Sequence, residues 1–166
     1  MVAASRESHT AEYLREALGA APAPGDAAVV CYTGGTTGLP KGANSTHRQM
    51  STNISQSEAL LPHLPGGERI LCVMPLFHCF AVGTCLHPAV YARGALVILP
   101  RYHPAEVISG IERHAITLMP AGPTVFISLM NFDGFSQADL SSLRCCISGS
   151  APLATETLAC WEAATS

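Results

Sequence analysis

The stretch that decides how this chain is interpreted is CYTGGTTGLPKGANSTHRQ, residues 31–49. Its glycines at positions 34, 35 and 38 lack a Cβ, so backbone N–H groups there can approach an anion closely. The threonine hydroxyls of the same stretch add hydrogen-bond donors, and Lys41 adds a positive charge. This composition is typical of a phosphate-binding loop, although a surface turn uses the same residue types.

A nucleotide hydrolase of the P-loop type is the first alternative for such a segment. Its motif requires a glycine directly before the lysine and a serine or threonine directly after it. Here Pro40 precedes Lys41 and Gly42 follows it, and Pro40 has no N–H to offer to a phosphate. The sequence therefore disfavours a P-loop hydrolase.

The bulk composition indicates one ordinary domain with few charges. The chain has 166 residues, of which 48% are hydrophobic and 13% charged, and its formal net charge is -3. This charge gives no support for nucleic-acid binding, which usually needs a basic surface. So few charged residues indicate that part of the surface meets another molecule or the rest of a larger protein.

The sequence also predicts a cytoplasmic location. Residues 1–19 lack the basic region and apolar stretch of a secretory signal. The most apolar region, about residues 79–100, is interrupted by Pro88 and Arg93, so we expect no transmembrane segment. The seven cysteines are odd in number and lack the spacing of a zinc site, and we expect buried, reduced thiols.

The pattern of apolar residues predicts an α/β fold with a mostly parallel sheet flanked by helices. Five apolar runs of strand length lie at residues 28–32, 70–74, 95–99, 116–119 and 143–147. Segments with helical character lie at residues 47–60, 104–113, 123–130 and 153–163. Strands and helices alternate and the runs are apolar on both faces, as in a covered parallel sheet. Within residues 1–26, the sequence predicts a helix over 8–19 that is followed by a linker.

Three motifs, in order along the chain, resemble those of the adenylate-forming (AMP-binding) enzymes. YTGGTTGLPKG at residues 32–42 closely resembles the phosphate-binding loop of this superfamily. MPLFHCFA at 74–81 resembles its Pro-Leu-Phe-His motif, and ISGSAPL at 147–153 is similar to its Ser-Gly-Gly-Ala-Pro-Leu motif. AGPTVF at 121–126 is similar to the segment between the last two motifs. The resemblance implies that the fold is part of the N-terminal domain of such an enzyme.

Details of the motifs narrow the resemblance to acyl-CoA synthetases, such as long-chain fatty acid or 4-coumarate CoA ligases. The histidine of the second motif, His78, is similar to that of CoA ligases and luciferases, since peptide-synthetase domains have Phe-Asp there. Gly34 stands where many relatives have serine, as in bacterial long-chain fatty acid ligases. The resemblance implies ATP-dependent activation of a small-molecule carboxylic acid, a fatty acid above all. The acid passes through an acyl-adenylate to an acyl-CoA thioester, with ATP, Mg²⁺ and CoA as co-substrates.

The resemblance also implies roles for individual residues. His78 would orient the carboxylate or gate its pocket; a core histidine bonded to a backbone carbonyl is the alternative. Ser150 replaces the usual glycine and adds a side chain where the backbone approaches the ligand. No metal-ligating residue is assigned, because Mg²⁺ would bridge phosphate oxygens. The phosphate-binding residues would be Thr33, Gly34, Gly35, Thr36, Thr37, Gly38 and Lys41. The adenine or acyl group would contact Gly149, Ser150, Ala151 and Pro152. The acyl pocket, unless these residues are plain core, would be lined by Phe80, Ala81 and Gly83.

The resemblance covers residues 27–166 and implies a partial acyl-activating domain that ends before the ribose-binding and C-terminal lysine regions. We therefore expect no complete catalytic cycle from this chain alone, and the remainder of the ligase is an expected partner. The alternative is a non-catalytic nucleotide- or acyl-binding fragment, or a partner of a separate chain. Asn44 and Ser45 depart from the family pattern, because they place polar groups in a strand that is expected to be buried.

Overall fold

The computed structural model describes residues 22–33 and 41–165, which fall into two compact units. The first unit ends at Thr52 and the second begins at Asn53. The helix predicted over residues 8–19 lies outside the described residues.

The first unit contains a β-hairpin that the sequence predicted only in part. Strand β1 (Ala27–Thr33) pairs antiparallel with strand β2 (Lys41–Thr46). The first of the five apolar runs therefore does not belong to the parallel sheet, which corrects that expectation for β1. The sequence of β2 gave no strand signal, because it is small and polar throughout. Asn44 is exposed and Ser45 is half-buried, so the expected burial of polar groups is also wrong.

Helix α1 (His47–Leu60) begins at a reciprocal capping interaction. The Gln49 N–H donates to the Thr46 hydroxyl oxygen at 3.3 Å, and the Thr46 N–H donates to the Gln49 side-chain oxygen at 2.8 Å. This capping box satisfies two backbone donors that a helix start otherwise leaves without partners. It explains why a weakly periodic, polar segment forms the helix that was predicted over residues 47–60.

The second unit is built on a four-stranded parallel sheet, which confirms the predicted fold class. The strand order is β4-β3-β5-β6. The strands are β3 (Arg69–Cys72), β4 (Ala95–Ile98), β5 (Leu118–Ala121) and β6 (Cys145–Ser148). Both β5 and β6 begin two residues later than predicted, because periodicity does not locate the ends of a short apolar run.

The helices of the second unit also follow the prediction. Pro104 occupies the first turn of its helix and Pro123 that of the next, where their missing N–H groups cost nothing. The final helix begins two residues later than expected. The helical segments are α2 (Cys79–Ala81), a π-helical turn (Val82–Leu86), α3 (His87–Tyr91), α4 (Pro104–His114), α5 (Pro123–Met130), a 3-10 turn (Phe135–Gln137) and α6 (Thr155–Thr165).

Helices cover both faces of this sheet. On one face, Leu71 of β3 and Met119 of β5 pack with buried residues of α4, α5 and α6. On the other face, Ile70 and Leu118 pack with buried residues of the segment from α2 to α3. Successive strand residues thus alternate between two cores, as the pleat of a strand requires.

Glu68, just before β3, ties together the amino ends of the strands. Its carboxylate is fully buried and accepts hydrogen bonds from the Leu64 N–H at 2.8 Å and the Arg144 guanidinium at 2.9 Å. It also accepts a short hydrogen bond from the Thr117 hydroxyl. Burial by itself would raise the pKa of Glu68, but the Thr117 and Leu64 hydrogen bonds and the Arg144 charge outweigh it and lower the pKa. The carboxylate is therefore held ionised between β3, β5 and β6.

Two further expectations concern the burial of the cysteines and the presence of transmembrane segments. All seven cysteines carry free thiols. Cys72 and Cys85 are buried, but Cys79 and Cys160 are exposed, so the expectation that the cysteines are buried is wrong as a general statement. None of the described helices combines the length and apolar character needed to cross a membrane.

Candidate functional site

The topology of the second unit places a crevice between the carboxyl ends of β3 and β5. The connection after β3 leads to α2, which packs on one face of the sheet, and β5 is followed by α5 on the opposite face. Neighbouring parallel strands whose connections diverge in this way form a topological switch point, where α/β proteins bind ligands. The second and third sequence motifs both lie at this edge of the sheet.

His78 stands at the start of the helix that follows β3. Its backbone N–H donates to the Pro75 carbonyl at 2.9 Å, which closes a turn, and its Nδ1 accepts a hydrogen bond from the Phe80 N–H at 3.1 Å. The side chain is exposed, so the alternative of a core histidine is wrong. Because Nδ1 is the acceptor, the neutral imidazole carries its proton on Nε2. The Nε2–H of this ring is thus available as a hydrogen-bond donor.

A π-helical turn (Val82–Leu86) follows α2 immediately and contains Gly83, one of the residues expected to line the acyl pocket. Pro88 has no N–H to donate to the Thr84 carbonyl, and the His87 N–H instead donates to the Val82 carbonyl in a π-type bond. The Thr84 hydroxyl donates to the Phe80 carbonyl at 2.7 Å. Pro88, which interrupts the apolar stretch of the sequence, is also the sequence signal for this irregularity.

The predicted acyl-pocket residues face different surroundings. Ala81 is fully buried in the core between the helix and the sheet. A Cβ added to Gly83 would meet no atom within 4 Å, so that position faces open space. Phe80 is half-buried and lies at the sheet edge. Of the three, Ala81 is therefore a core residue, whereas Phe80 and Gly83 are only partly buried.

The ring of Phe80 lies directly against Gly149, which brings the second and third motifs together. A Cβ on Gly149 would lie 2.4 Å from Phe80 Cε2, so only glycine fits beneath this ring. Gly149 is held in turn by its N–H, which donates to the Ala121 carbonyl at 3.0 Å. A Cβ on Gly122 would lie 3.8 Å from the Gly149 carbonyl oxygen, so Gly122 also borders the crevice. Sequence reasoning assigned no role to Gly122, although it lies within AGPTVF.

Ser150 holds the backbone conformation of the glycine that it replaces. Its φ is 70°, in the left-handed region that favours glycine, and the residue is exposed. Ala151 and Pro152 continue this exposed segment. Strain of this kind is stored mostly at functional sites.

The strain at Ser150 gives a testable expectation. The Ser150→Gly variant is expected to raise the free energy of unfolding by about 0.5–1 kcal/mol, because glycine adopts positive φ without a steric cost. Ala151→Gly, the matched change at the next exposed position, should lower it by a similar amount through chain entropy. Urea unfolding followed by circular dichroism measures both; a destabilised Ser150→Gly variant would show that the conformation is unstrained.

The predicted phosphate-binding residues lie in the first unit. Thr33 ends β1 directly opposite Lys41, which begins β2 and is exposed. Gly34, Gly35, Thr36, Thr37 and Gly38 lie outside the described residues. The hairpin therefore places the two flanks of the segment side by side.

The described residues offer no preformed metal centre. Across 22–33 and 41–165, no group of three or more histidine, cysteine, aspartate or glutamate side chains is placed to hold an ion. Mg²⁺ in nucleotide sites keeps several water ligands and is held largely by substrate phosphates.

Comparison with known proteins identifies the family. The model of the AMP-binding enzyme family matches residues 2–166. A long-chain-fatty-acid–CoA ligase of Bacillus subtilis is 36% identical over 132 residues, which cover 79% of this chain and 24% of the ligase. 4-Coumarate–CoA ligase 5 of Oryza sativa subsp. japonica is 35% identical over 134 residues, covering 79% of this chain and 25% of the relative. The chain thus spans about a quarter of the length of these curated relatives.

Solved structures share the fold. The ATP-bound crystal structure of MatB from Rhodopseudomonas palustris matches with a TM-score of 0.76 and 27% sequence identity. The match covers 86% of this chain and 28% of MatB. Nucleotide binding is thus documented for a structural relative of this chain.

Proposed function

The chain belongs to the AMP-binding enzyme family, and from this premise we propose that it takes part in the ATP-dependent activation of a carboxylic acid. The acid attacks the α-phosphorus of ATP, which gives an acyl-adenylate and pyrophosphate. The thiol of CoA then displaces AMP and leaves an acyl-CoA thioester. Both steps require the protein to position the reactants and to stabilise charge, and neither requires a covalent bond to the protein.

The observation that carries this proposal is the meeting of His78, Phe80 and Gly149 at the switch point. Nε2–H of His78 is a donor for a carboxylate oxygen, because Nδ1 is already engaged by the Phe80 N–H. The Phe80 ring against Gly149 forms one wall of an acid pocket, and the open space at Gly83 extends it. The segment from Gly149 through Ser150 and Ala151 to Pro152 presents backbone to the adenine and acyl groups.

ATP would be held by the hairpin. We propose that its β- and γ-phosphates are bound by Lys41, Thr33, Gly34, Gly35, Thr36, Thr37 and Gly38. Mg²⁺ would enter with the nucleotide and would neutralise part of the phosphate charge. Lys41 supplies a positive charge, and the glycines supply backbone N–H groups without side chains in the way. Residues 27–166 would then be part of the acyl-activating domain, with residues 1–26 as a helix and linker ahead of it.

The acid we favour is a fatty acid, in a cytoplasmic setting. The Bacillus subtilis relative is a fatty acid ligase. Gly34 supports the same substrate class, because bacterial long-chain fatty acid ligases resemble this chain in having glycine at that position. The rice 4-coumarate ligase is nearly as similar, at 35% against 36% identity, so an aryl acid is the competing substrate. Titration with acyl-adenylate analogues of both kinds separates the two.

A second candidate function is binding without turnover, alone or as the partner of a separate chain that supplies the rest of a ligase. The chain spans 24% of the length of the fatty acid ligase that it resembles, so binding and turnover are to be measured separately. An assay for acyl-CoA formation by the purified chain distinguishes the two functions.

Lys41→Ala is expected to weaken the binding of ATP with Mg²⁺ by about 10- to 100-fold. A hydrogen bond to a charged group contributes about 1.5–3 kcal/mol, and every 1.4 kcal/mol is tenfold in affinity. Isothermal titration calorimetry of the whole chain measures the loss. Lys41→Arg, which keeps the charge, should retain most of the affinity.

Arg113→Gln is the matched control, because it removes one positive charge from the exposed end of α4, far along the chain from the hairpin. Its effect on ATP binding should be less than about twofold. Equal affinities for Lys41→Ala and the unaltered chain would contradict the assignment of the phosphate site.

A further inference from the structure

The outer edge of β4 is open to another strand. The strand order places β4 at one end of the sheet, where β3 is its only pairing partner among the described residues. The Ala95 and Leu99 N–H groups donate to carbonyls of the β3 segment, at 2.8 and 3.1 Å. Because backbone groups alternate in direction along a strand, the N–H and C=O groups of Leu96 and Ile98 point outward. An edge of this kind is a template for pairing with another strand.

A groove lies beside this edge, along one flank of α4. Its volume is about 260 Å³, and it reaches Leu99, the residue that follows β4. Its lining includes Glu106, Ser109 and Arg113 of the helix, but no described residue of β3, β5 or α5. The groove is therefore on the flank of α4 nearer to the open edge. At that edge, Ile98 is 50% exposed.

The charges on this flank of α4 are arranged symmetrically. Glu106 and Arg113 are exposed and lie equally far along the helix from the point between Ser109 and Gly110. Neither side chain forms an ion pair with another of the described residues. The Arg113 guanidinium donates to the Ser109 hydroxyl at 3.2 Å, which holds it along the groove. A flank with an acid at one end and a base at the other is complementary to a second copy of itself that runs in the opposite direction.

The strand and the helix can share one two-fold axis. The end of α4 lies level with the start of β4, because Arg69, which is paired with Ala95, donates to the His114 carbonyl at 3.3 Å. The start of α4 lies level with the end of β4, because Leu99 lines the groove together with the first turn of the helix. The middle of α4 is therefore level with Val97, which is midway between the two outward-facing residues of β4.

We propose that a second copy of this chain docks on this edge, so that two sheets join around a two-fold axis through Val97. The two β4 strands run antiparallel, and Leu96 of each copy exchanges backbone hydrogen bonds with Ile98 of the other. These two residues share one face of the sheet, so their side chains also lie side by side. The two α4 helices lie antiparallel, and Glu106 of each copy faces Arg113 of the other. This inference does not depend on the proposed function.

The paired charges favour a second copy over another occupant. An extended peptide could pair with β4, but it would not need an acid and a base placed equally far from one axis. The contact is small and its ion pairs lie at the surface, so we expect a dissociation constant of about 10–100 µM. At a concentration of about 1–2 µM, as in an unfolding experiment, the chain is then mainly monomeric.

Reversing one charge at a time tests the pairing. Sedimentation equilibrium of the unaltered chain, up to about 500 µM, should show the expected dimer. Glu106→Lys alone and Arg113→Glu alone should each weaken the dimer about tenfold or more, because like charges then face each other twice. An equimolar mixture of the two variants should associate like the unaltered chain. In the mixed dimer the new lysine faces the new glutamate, and the other pair is unchanged.

Glu156→Lys is the matched control, because it reverses the charge of a glutamate in the first turn of α6, another helix of 11 residues. It removes the same interaction with a helix dipole but lies outside the groove. The dissociation constant of the dimer should change less than about twofold.

Hydrogen exchange followed by NMR tests the strand pairing separately. At about 500 µM, the Leu96 and Ile98 amide protons should exchange about threefold more slowly in the unaltered chain than in Arg113→Glu. The Ala95 and Val97 amide protons, which face β3, should show no such protection by the dimer.

The proposal is overturned if the unaltered chain remains monomeric up to about 500 µM. A β4 edge that is instead covered by another protein or by the remainder of a ligase would give this result. It is also overturned if the chain associates but the single charge variants associate equally well, or if their mixture does not recover the dimer. Equal exchange of the Leu96 and Ile98 amide protons in the dimer and in the Arg113→Glu variant would refute the pairing of the strands.

Discussion

Replacing Glu68 by alanine is expected to lower the free energy of unfolding by about 3–5 kcal/mol. The change removes a buried carboxylate, leaves the Leu64 N–H without its acceptor, and leaves the Thr117 hydroxyl only the Arg69 carbonyl at 3.2 Å. It also takes the ionic partner from Arg144, whose side chain is 31% exposed. Domains of this size are stable by only about 5–15 kcal/mol, so the variant is expected to be close to unfolding at 37 °C. Urea unfolding, followed through Trp161 fluorescence, measures the difference.

Glu106→Ala is the control for that experiment. Glu106 is an exposed glutamate in the first turn of α4, so its loss removes a favourable interaction with the helix dipole and no buried hydrogen bond. We expect a cost of less than about 1 kcal/mol. If the two variants were equally stable, the hydrogen bonds of Glu68 at the amino ends of the strands would contribute nothing to the free energy of unfolding.

The same carboxylate predicts how stability depends on pH. The pKa of Glu68 is lowered in the folded chain, so its contribution is present above the ordinary glutamate value of about 4.3 and is lost as the pH falls through the folded value. The Glu58 and Asp139 carboxyls also have lowered pKa values and add to this acid dependence. The part due to Glu68 is therefore the difference between the unaltered chain and Glu68→Ala, and this difference should shrink on acidification.

The sequence predicted the elements whose signals are local. Pro104 and Pro123 mark helix starts, and the apolar runs from residue 70 onward mark the four parallel strands, of which β5 is buried along its whole length. The hairpin partner β2 escaped prediction because its residues carry no apolar alternation, and it is held instead by backbone hydrogen bonds to β1. Pairing of this kind depends on a distant segment rather than on local propensity.

For the candidate site, the sequence predicted the motifs but not the contacts between them. The position of His78 ahead of a helix follows from the PLFH sequence, but the contact between Phe80 and Gly149 joins residues that are far apart in the chain. No pattern in one sequence specifies such a distance. The strain at Ser150 had a sequence signal, since serine stands where the family has glycine, and its φ of 70° shows that the glycine-like backbone is kept.

Gly149→Ala is expected to weaken the binding of an acyl-adenylate analogue at least tenfold. The added methyl group would lie 2.4 Å from Phe80 Cε2 and 2.7 Å from Cζ, so the ring must leave its place. Because that ring is the proposed wall of the acid pocket, its displacement reshapes the pocket, and overpacking also lowers the free energy of unfolding by about 1–3 kcal/mol. Calorimetric titration and urea unfolding measure the two effects separately.

Phe80→Leu is the partner change that tests the contact itself. A smaller side chain makes room for the alanine, so the double variant should recover at least about 1 kcal/mol of stability relative to the sum of the single changes. Gly83→Ala is the control for stability, because its methyl group would enter open space within the same helical segment. It should leave the free energy of unfolding unchanged or slightly raised. Additive effects at Gly149 and Phe80 would mean that the two residues do not touch, and the acid pocket would then lose its proposed wall.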